Sequence, residues 1–336
     1  MALSSPTAAQ RIVALVQAGD LAGAQALAAQ AGAAGDADAL LVQALWAIEG
    51  RIVPRDLAAA RAGLERAAAA GQARAARILA AMRAAGEGGA ADWGGALALL
   101  EAWAGRDPQD APERALIAAM ALDDAGEPMS LPRAEPLTAE PYAAAFRGFL
   151  SAAECGWLRQ AAQGRFRPAR IFHEARREWI ADPIRDSGQA SFPLIARGPA
   201  LVAIERRIAA ATGTTLRQGE ALQVLQYAPG QQYRPHLDAV PGLANQRVLT
   251  FLIWLNDDFK GGETVFPETG LTFRGRVGDA LLFANTDVAG RPDPRTRHAG
   301  LPVTSGVKLL ASKWIRATAA AAGESFGAEE LGRGVG

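Results

Sequence analysis

The histidines are the most informative residues of this sequence, because the 336-residue chain has only three of them: His173, His236 and His298. In the segment YRPHLD, His236 and Asp238 are separated by a single residue. On an extended segment, side chains two positions apart point to the same face, as two ligands of one metal ion must. Leu237 then points away, toward packing. The spacing therefore predicts that His236 and Asp238 bind the same ion.

A third ligand is available from a distant part of the chain, because His298 follows Asp238 by sixty residues, about what several intervening strands need. Two imidazoles and one carboxylate occupy one face of an octahedral ion and leave three positions open. Non-haem iron(II) oxygenases use this arrangement to bind a cosubstrate and oxygen together. His173 lies in a charged stretch with Arg176 and Arg177, which predicts a surface residue.

Lys308 lies ten residues after His298, in the predicted strand segment GVKLLASKW. A cation that faces the interior is costly unless an anion neutralises it. The distal carboxylate of 2-oxoglutarate would serve, while its 1-carboxylate and 2-keto oxygens chelate the iron. This arrangement leaves one open position on the ion for oxygen.

Other interpretations of these residues compete with an oxygenase site. An HxD pair is most often a pair of surface polar residues or a histidine hydrogen-bonded to a carboxylate, and a lone lysine on a strand usually extends its charged end to solvent. A zinc hydrolase could use the same three ligands, but nothing obvious supplies its general base and Lys308 would be unexplained. The combined spacing favours the iron site.

The elements that must position these residues are short strands, which begin at about Glu220. The segments LQVLQY, RVLTFLIWLND, ETVFP, LTFRGRVGDALLF and GVKLLASKWIR are separated by Pro-Gly, Asn-Asp and Gly-Gly punctuation. Strands at this spacing form a sandwich or barrel. Residues 151–163 and 199–212 read as amphipathic helices that would flank the sheet.

The first 130 residues have a different composition, dominated by alanine, leucine, glycine and arginine, which favours helices interrupted by glycine. Six pairs of identical residues lie 36 positions apart, and a looser third copy is suggested by Met82 and Gly86 recurring as Met120 and Gly126. The six pairs are Gly35 and Gly71, Ala44 and Ala80, Gly50 and Gly86, Asp56 and Asp92, Leu64 and Leu100, and Glu65 and Glu101. The spacing indicates helical-hairpin repeats that stack on one another, although an alanine-rich chain also gives chance matches. The register resembles the Sel-like branch of the tetratricopeptide class.

The sequence therefore predicts a multidomain protein. A helical repeat domain covers residues 1–130, and a proline-rich linker covers 131–141. The strand-rich domain covers 142–319, and a flexible tail covers 320–336. Four prolines between residues 126 and 141 prevent a helix from continuing through this segment.

Composition excludes several classes of protein. The 35 basic and 35 acidic residues balance, which gives no electrostatic reason to expect a nucleic-acid or anionic-membrane partner. Cys155 is the only cysteine, so neither an intrachain disulfide nor a thiolate zinc cluster can form. The N-terminus lacks the pattern of a secretory signal, and no apolar run is long enough to span a membrane. These features predict a soluble, cytoplasmic protein.

Several motifs in the last ~180 residues resemble those of the catalytic domain of prolyl 4-hydroxylases. They are IRDSGQASF, EALQVLQYAPGQQYRPHLD, QRVLTFLIWLNDDFKGGETVFP, RVGDALLF and RHAGLPVTSGVKLLASKWIR, in the family's order. The resemblance implies an α+β double-stranded β-helix, a jelly-roll whose open end holds iron(II), with flanking helices. The ligand and lysine assignments made above coincide with those of the family.

The resemblance also implies roles for further residues. Tyr227 and Thr250 are expected to hydrogen-bond 2-oxoglutarate. Trp254 stands where a tyrosine is common, and its indole N–H is expected to take over a contact to the distal carboxylate. Positions around the substrate proline in the family's peptide-binding members correspond here to Arg185, Glu220, Tyr233, Arg247 and Trp314. Leu237 and Leu309 depart from the aromatic residues common at their positions.

The resemblance implies an iron(II) and 2-oxoglutarate dependent dioxygenase that 4-hydroxylates a peptidyl proline, as procollagen-proline 4-dioxygenases do, and releases succinate and carbon dioxide. Its partner would be a protein or peptide docked by the helical repeats. Two alternatives stay open: the same chemistry on another side chain or small molecule, and a repeat-based adaptor whose oxygenase fold is inactive. Ascorbate is a further candidate cofactor. The sequence leaves its requirement and the oligomeric state open.

Overall fold

The structure is a computed structural model that describes residues 6–106, 110–173, 178–181 and 184–320. Apart from Ala320, the predicted tail lies outside these residues. In the described part, seven helices precede residue 120 and two more lie in the second half. They are α1 Ala8–Gln17, α2 Leu21–Ala33, α3 Ala37–Glu49, α4 Leu57–Ala69, α5 Ala73–Ala85, α6 Trp93–Ala102, α7 Asp110–Ala119, α8 Ala152–Ala162 and α9 Pro199–Thr212. The flanking helices predicted at 151–163 and 199–212 are confirmed as α8 and α9.

Residues paired 36 positions apart occupy equivalent places in the helical half. Asp56 and Asp92 are the N-caps of α4 and α6, and each side chain accepts a hydrogen bond from a backbone N–H three residues later. Gly50 and Gly86 end α3 and α5 with φ of 74° and 71°, a left-handed conformation that glycine adopts without a steric penalty. The helix pair α3–α4 thus matches α5–α6. Assignment to the Sel-like class stays a prediction.

Sixteen strands lie in the described part of the second half. They are β1 Ala134–Thr138, β2 Ala143–Phe146, β3 Arg167–Pro168, β4 Arg170–His173, β5 Glu178–Ala181, β6 Gly188–Phe192, β7 Leu222–Tyr227, β8 Tyr233–His236, β9 Arg247–Trp254, β10 Lys260–Gly261, β11 Thr264–Phe266, β12 Leu271–Phe273, β13 Ala280–Ala284, β14 His298–Gly300, β15 Val303–Ser305 and β16 Lys308–Arg316. An eight-stranded sheet has the order β1-β2-β13-β9-β16-β7-β6-β3, and a four-stranded sheet has the order β12-β11-β14-β8. Two-stranded pairs β10-β15 and β4-β5 complete the set.

Two segments differ from the sequence-based expectation. The proline-rich segment at 131–141 contains β1, which pairs with β2 at the edge of the large sheet, so it is more than a linker. An edge strand tolerates Pro136 because one side of the strand needs no ladder hydrogen bonds. The run LTFRGRVGDALLF is two strands in different sheets rather than one, since the chain turns at Gly278, where φ is +85°.

The large sheet is the middle layer of the second half. Alternate side chains of β16 face opposite ways. Ala311 and Ile315 pack with α8 and α9 in one core. Leu310 packs with Trp254 and with aromatic side chains of β11 and β12 in another. The predicted jelly-roll with flanking helices is confirmed, and the face that carries Leu310 is the interior face of the jelly-roll.

The helical half is joined to the oxygenase half by a shared core. Small and apolar residues of α9, including Val202 and Ala203, pack in one cluster with Trp93, Leu116 and Ile117 of the helical half. Helix α9 has no side-chain cap of its own, and the buried carboxylate of Glu113 accepts a hydrogen bond from the N–H of Ala200 instead (3.0 Å). The same carboxylate pairs with Arg77 at 2.8 Å. The two halves therefore share buried surface as well as a connecting segment.

Cys155 is buried and free. None of the described helices has the length and apolar character needed to cross a membrane.

Candidate metal and cosubstrate site

The three predicted metal ligands come together where β8 and β14 pair. His236 ends β8, His298 begins β14, and the two residues lie opposite each other in the antiparallel register. Asp238 follows His236 by two positions, as the HxD spacing predicts. One ligand atom from each of the three side chains lies within 4.8 Å of the others, and all three residues are buried.

Both histidine rings are held in the orientation that a metal ligand needs. Nδ1 of His236 lies 2.8 Å from the carbonyl oxygen of Arg234, and Nδ1 of His298 lies 3.0 Å from that of Thr296. A carbonyl only accepts, so each Nδ1 carries a proton, and in the neutral ring the lone pair is then on Nε2. The Nε2 atoms face Asp238 at 3.5 Å and 3.6 Å, too far for good hydrogen bonds.

The protonation states suit a divalent cation. Burial, the largest influence, lowers the pKa of His298 to about 4, although Asp238 opposes this, so the ring is neutral at pH 7. Burial would raise the pKa of the Asp238 carboxyl. The His298 and His236 rings and a hydrogen bond from Thr250 outweigh burial and hold that pKa well below its usual range. Neutral imidazoles and an ionised carboxylate are the forms that bind metals.

The donor set fits iron(II). Nε2 of His236 is buried and has no hydrogen-bond partner in the described part of the chain, which is costly unless something binds there. Two imidazoles and one carboxylate form the facial triad of non-haem iron(II) sites. His236, Asp238 and His298 could therefore hold one such ion. The assignment of these three residues as ligands rests on the fit between their donor atoms and iron(II).

Lys308 lines the same cavity as the triad. It is the first residue of β16 and pairs in register with Tyr227 of β7. Its Nζ donates to the carbonyl of Gly262 at 2.6 Å, and no ion pair between Nζ and a carboxylate within 4.0 Å is found among the described residues. Burial lowers the pKa of Lys308 to about 8, although Glu263 opposes this. A buried cation without a counter-ion is the feature expected of a site for an anionic ligand.

The three other predicted cosubstrate residues lie in different places. Tyr227 lines the cavity, and its ring centroid lies 5.6 Å from Nζ of Lys308. Trp254 lies at the same distance from Nζ, with a buried Nε1 that has no partner among the described residues, but it does not line the cavity. The Thr250 hydroxyl donates to Oδ2 of Asp238 at 2.6 Å and is fully buried. Their contacts to 2-oxoglutarate stay predictions, and in this structure Thr250 is directed at a metal ligand.

The five predicted substrate residues form two groups beside the metal site. The Tyr233 ring stacks on His236 with centroids 3.5 Å apart, and the Arg185 guanidinium lies 5.3 Å from the Tyr233 centroid. On the other side, Arg247 donates two hydrogen bonds to Glu220 (2.6 and 2.9 Å) and lies 3.8 Å from the Trp314 centroid. Tyr233 and Trp314 line the cavity, and their arginine neighbours hold these two aromatic rings in place.

The structure adds residues that sequence reasoning missed. Thr264 and Ser312 are buried polar residues that line the cavity, and Asn285 is a buried amide hydrogen-bonded to Thr250. The alternation on β16 places Ser312 on the same face as Lys308, so its position could have been derived. Nothing in the local sequence identified Asn285. The side chain of His173, predicted to be at the surface, lies outside the described part.

Comparisons with known proteins identify relatives of this chain. Residues 222–316 match the family model of the 2OG-Fe(II) oxygenase superfamily. Prolyl 4-hydroxylase 1 of Arabidopsis thaliana is 34% identical over 201 residues, which cover 54% of this chain and 71% of the plant protein. Probable prolyl 4-hydroxylase 6 of the same plant is 31% identical over 222 residues, covering 59% and 75%. A crystal structure of the viral collagen prolyl hydroxylase of Paramecium bursaria Chlorella virus-1 with 2OG is 28% identical, with a TM-score of 0.42, and covers 52% of this chain and 96% of the viral one.

Proposed function

Because the chain belongs to the prolyl 4-hydroxylase family of 2-oxoglutarate and iron(II) dependent dioxygenases, we propose that it 4-hydroxylates proline residues of a peptide or protein. Succinate and carbon dioxide are the coproducts of this reaction. The observation that carries the proposal is that the triad, Lys308 and the rings of Tyr227, Tyr233 and Trp314 line one cavity. A metal site alone would suit many reactions, but a buried cation and aromatic faces in the same cavity suit this one.

The protein's own residues bind and orient the reactants in this proposal. His236, Asp238 and His298 hold the iron(II), which supplies the redox chemistry that couples decarboxylation of 2-oxoglutarate to hydroxylation. Lys308 binds the distal carboxylate. Three leucines of the large sheet line the cavity and exclude water from the methylene groups of the cosubstrate: Leu225, Leu252 and Leu310.

In this proposal, contact with the faces of aromatic rings accounts for the preference for proline. A proline ring has no N–H to hydrogen-bond and is best bound by apolar ring faces. Tyr233 and Trp314 line the cavity that also holds the metal ligands. The arginine beside each ring restrains it, so the faces are formed before substrate arrives.

The test is release of succinate by the iron-loaded chain, measured with and without proline-rich peptides. We expect slow uncoupled turnover alone, faster turnover with peptide, and one added oxygen atom on proline in the peptide's mass spectrum. Turnover of 2-oxoglutarate without any proline oxidation would favour another side chain or a small molecule as substrate. No turnover under any condition would favour the adaptor interpretation. The same assay, with and without ascorbate, decides whether that cofactor is needed.

A docking role for the helical half is the second part of the proposal. Because α9 shares a core with the helices, a protein bound to them would be held in a fixed orientation to the oxygenase site. A length series of proline-rich peptides tests this in the full chain. KM should fall as peptides become long enough to reach the helices, while kcat stays constant. A KM that is independent of length would contradict docking. We also propose that the protein is located in the cytoplasm.

A further inference from the structure

A buried chain of side-chain hydrogen bonds leads from the end of β13 to the metal site. Nδ2 of Asn285 donates to Oγ1 of Thr250 at 2.9 Å, and that hydroxyl donates to Oδ2 of Asp238 at 2.6 Å. Asn285 is 1% exposed and Thr250 is 0% exposed, so water does not compete with these bonds. The three groups therefore form one closed path in the protein interior.

The direction of each bond follows from the chemistry of the groups. A threonine hydroxyl has one hydrogen, and an ionised carboxylate can only accept. The hydrogen therefore goes to Asp238, the nearer and charged acceptor, rather than to Oδ1 of Asn285 at 3.3 Å. Thr250 must then accept from Nδ2 of Asn285. This polarity restrains rotation of the Asp238 carboxylate, because Oδ2 can move only by losing its hydrogen bond.

The backbone of Asn285 leads to a second metal ligand. Its N–H donates to the carbonyl of Val248 on β9 (2.9 Å), and its carbonyl accepts from the N–H of Asp293 (3.1 Å). The Asp293 carbonyl accepts from the N–H of Thr296 at 3.0 Å and from its hydroxyl at 2.7 Å. The Thr296 carbonyl in turn faces Nδ1 of His298. Asn285 thus anchors the beginning of the loop whose end orients His298.

We propose that Asn285 is a positioning residue whose side chain aligns the metal ligand Asp238 through Thr250. Its backbone anchors the loop 286–297 that leads to His298, and this anchoring does not depend on the side chain. The inference rests on the proposed function, because it assumes that these residues bind a metal. Partners behind metal ligands restrain the orientation of the donor atoms, and their loss typically weakens metal affinity about 10- to 100-fold. Thr250 has the intermediate role in the first of the two paths.

The test is titration of the metal-free protein with cobalt(II), a redox-stable substitute for iron(II), followed by visible absorption. Thr250→Val and Asn285→Ala should each weaken binding about 10- to 100-fold and alter the cobalt spectrum, while Thr250→Ser should bind like the unaltered chain. The double variant should lose less than the product of the two single effects, since both changes break one path.

The matched control is Asn256→Ala, which removes another buried asparagine with two side-chain amide donor contacts, to Asp258 and Val307. It should lower thermal stability and leave cobalt affinity unchanged. Thermal unfolding of each metal-free variant shows that the fold is retained, and Thr250→Ala serves if Thr250→Val does not fold.

Cobalt affinity and spectra that are unchanged in both folded variants would overturn the inference and leave the proposed function intact. An equal loss in Asn256→Ala would also overturn it, because the effect would then be a general loss of stability. No binding by the unaltered chain would overturn the proposed function and this inference together.

Discussion

The helical half and the sheet half of the molecule bury their surfaces with different kinds of side chain. The core of the helical half is built largely from alanine and leucine, so that helices approach closely, as where Gly63 on α4 lies against Ala44 on α3. The interior of the jelly-roll is built around large aromatic residues such as Trp254, Phe266 and Phe283. Small residues permit a repeated packing, whereas large residues leave room for a cavity at the open end.

Buried polar groups differ even more between the halves. Among the described residues before position 130, Glu113 is the one buried polar or charged residue, and it lies at the junction with α9. The sheet half buries many such groups, including the metal triad, Lys308 and Asn285. Because each buried polar group costs free energy unless it has a partner, their distribution indicates where function and assembly impose that cost. In the sheet half this cost falls at the candidate site, and in the helical half it falls at the junction with α9.

The largest effect is expected from a change at the proposed metal site, whose three ligands all lie in the sheet half. His236→Ala removes one of three ligands and should reduce succinate release to background. The fold should persist, because the apolar core around Trp254 forms without the metal. Succinate release and thermal unfolding of the metal-free protein measure the two quantities. Full activity in this variant would contradict the assignment of the metal ligands.

The next largest effect is expected from replacing Lys308. The change should weaken the binding of 2-oxoglutarate and should stabilise the metal-free fold. Lys308→Met should raise the 2-oxoglutarate concentration needed for half-maximal activity at least about a hundredfold, since a buried ion pair loses one partner at a cost of roughly 3–5 kcal/mol. Lys313→Met is the matched control, because Lys313 is equally buried on the opposite face of β16, where it pairs with Glu205. It should lower stability and keep the cosubstrate requirement. An unchanged requirement in Lys308→Met would refute the role of Lys308.

The metal-free form of Lys308→Met should be more stable than the unaltered chain, by on the order of 1–3 kcal/mol at pH 7. The folded pKa of Lys308 is lowered to about 8 from 10.5, chiefly by burial. Glu263 raises this pKa, and Arg274 lowers it further. The unfolded state therefore binds more protons between pH 8 and 10.5, and the stability of the unaltered chain rises with pH there. The advantage of the variant is full below pH 8 and disappears by about 10.5. Chemical unfolding at pH 7 and pH 10.5 measures it.

The sequence was sufficient to predict that His236, Asp238 and His298 come together, because HxD on an extended segment and the scarcity of histidine leave few alternatives. That these residues bind a metal stays a prediction. It also predicted β7, both flanking helices and the equivalence of Gly50 with Gly86. It could not predict that Glu113 caps α9, because such a contact joins residues 87 positions apart and leaves no local pattern.

The path from Asn285 to Asp238 escaped prediction for the same reason. Thr250 and Asn285 lie in two neighbouring strands or at their ends, and only the register between β9 and β13 brings them together. Buried amides and hydroxyls look like ordinary polar residues in a sequence. Their roles depend on which atoms face them, which is a property of the folded chain.

A smaller effect is expected at the junction that joins the halves. Glu113→Ala leaves α9 without its cap and removes the ion pair between Glu113 and Arg77, which should lower the free energy of unfolding by about 2–3 kcal/mol. Glu113→Gln retains an oxygen for the N–H of Ala200 and should lose about half as much. Urea unfolding measures these changes. The turnover of folded protein should be unaffected, and a lower kcat at temperatures well below unfolding would show that the junction also shapes the active site.

The smallest effect tests whether the helical units are physically equivalent. Gly35 and Gly71, 36 positions apart, have φ of +82° and +100°, and a Cβ added to either would meet nothing within 4 Å. Alanine at each position therefore carries only the backbone penalty of positive φ, and each substitution should cost about 1–2 kcal/mol. Gly94→Ala is the matched control: Gly94 lies in α6, is also in open space, and should gain about 0.5–1 kcal/mol from the change.

Urea unfolding of the three alanine variants gives the comparison, with succinate release expected to stay unchanged in all of them. Costs at Gly35 and Gly71 that agree within experimental error would support one repeated turn, used once before α3 and again before α5. If one substitution is neutral and the other is costly, the two turns are held by different contacts. The 36-residue pattern would then describe the sequence without describing the energetics of the helical half.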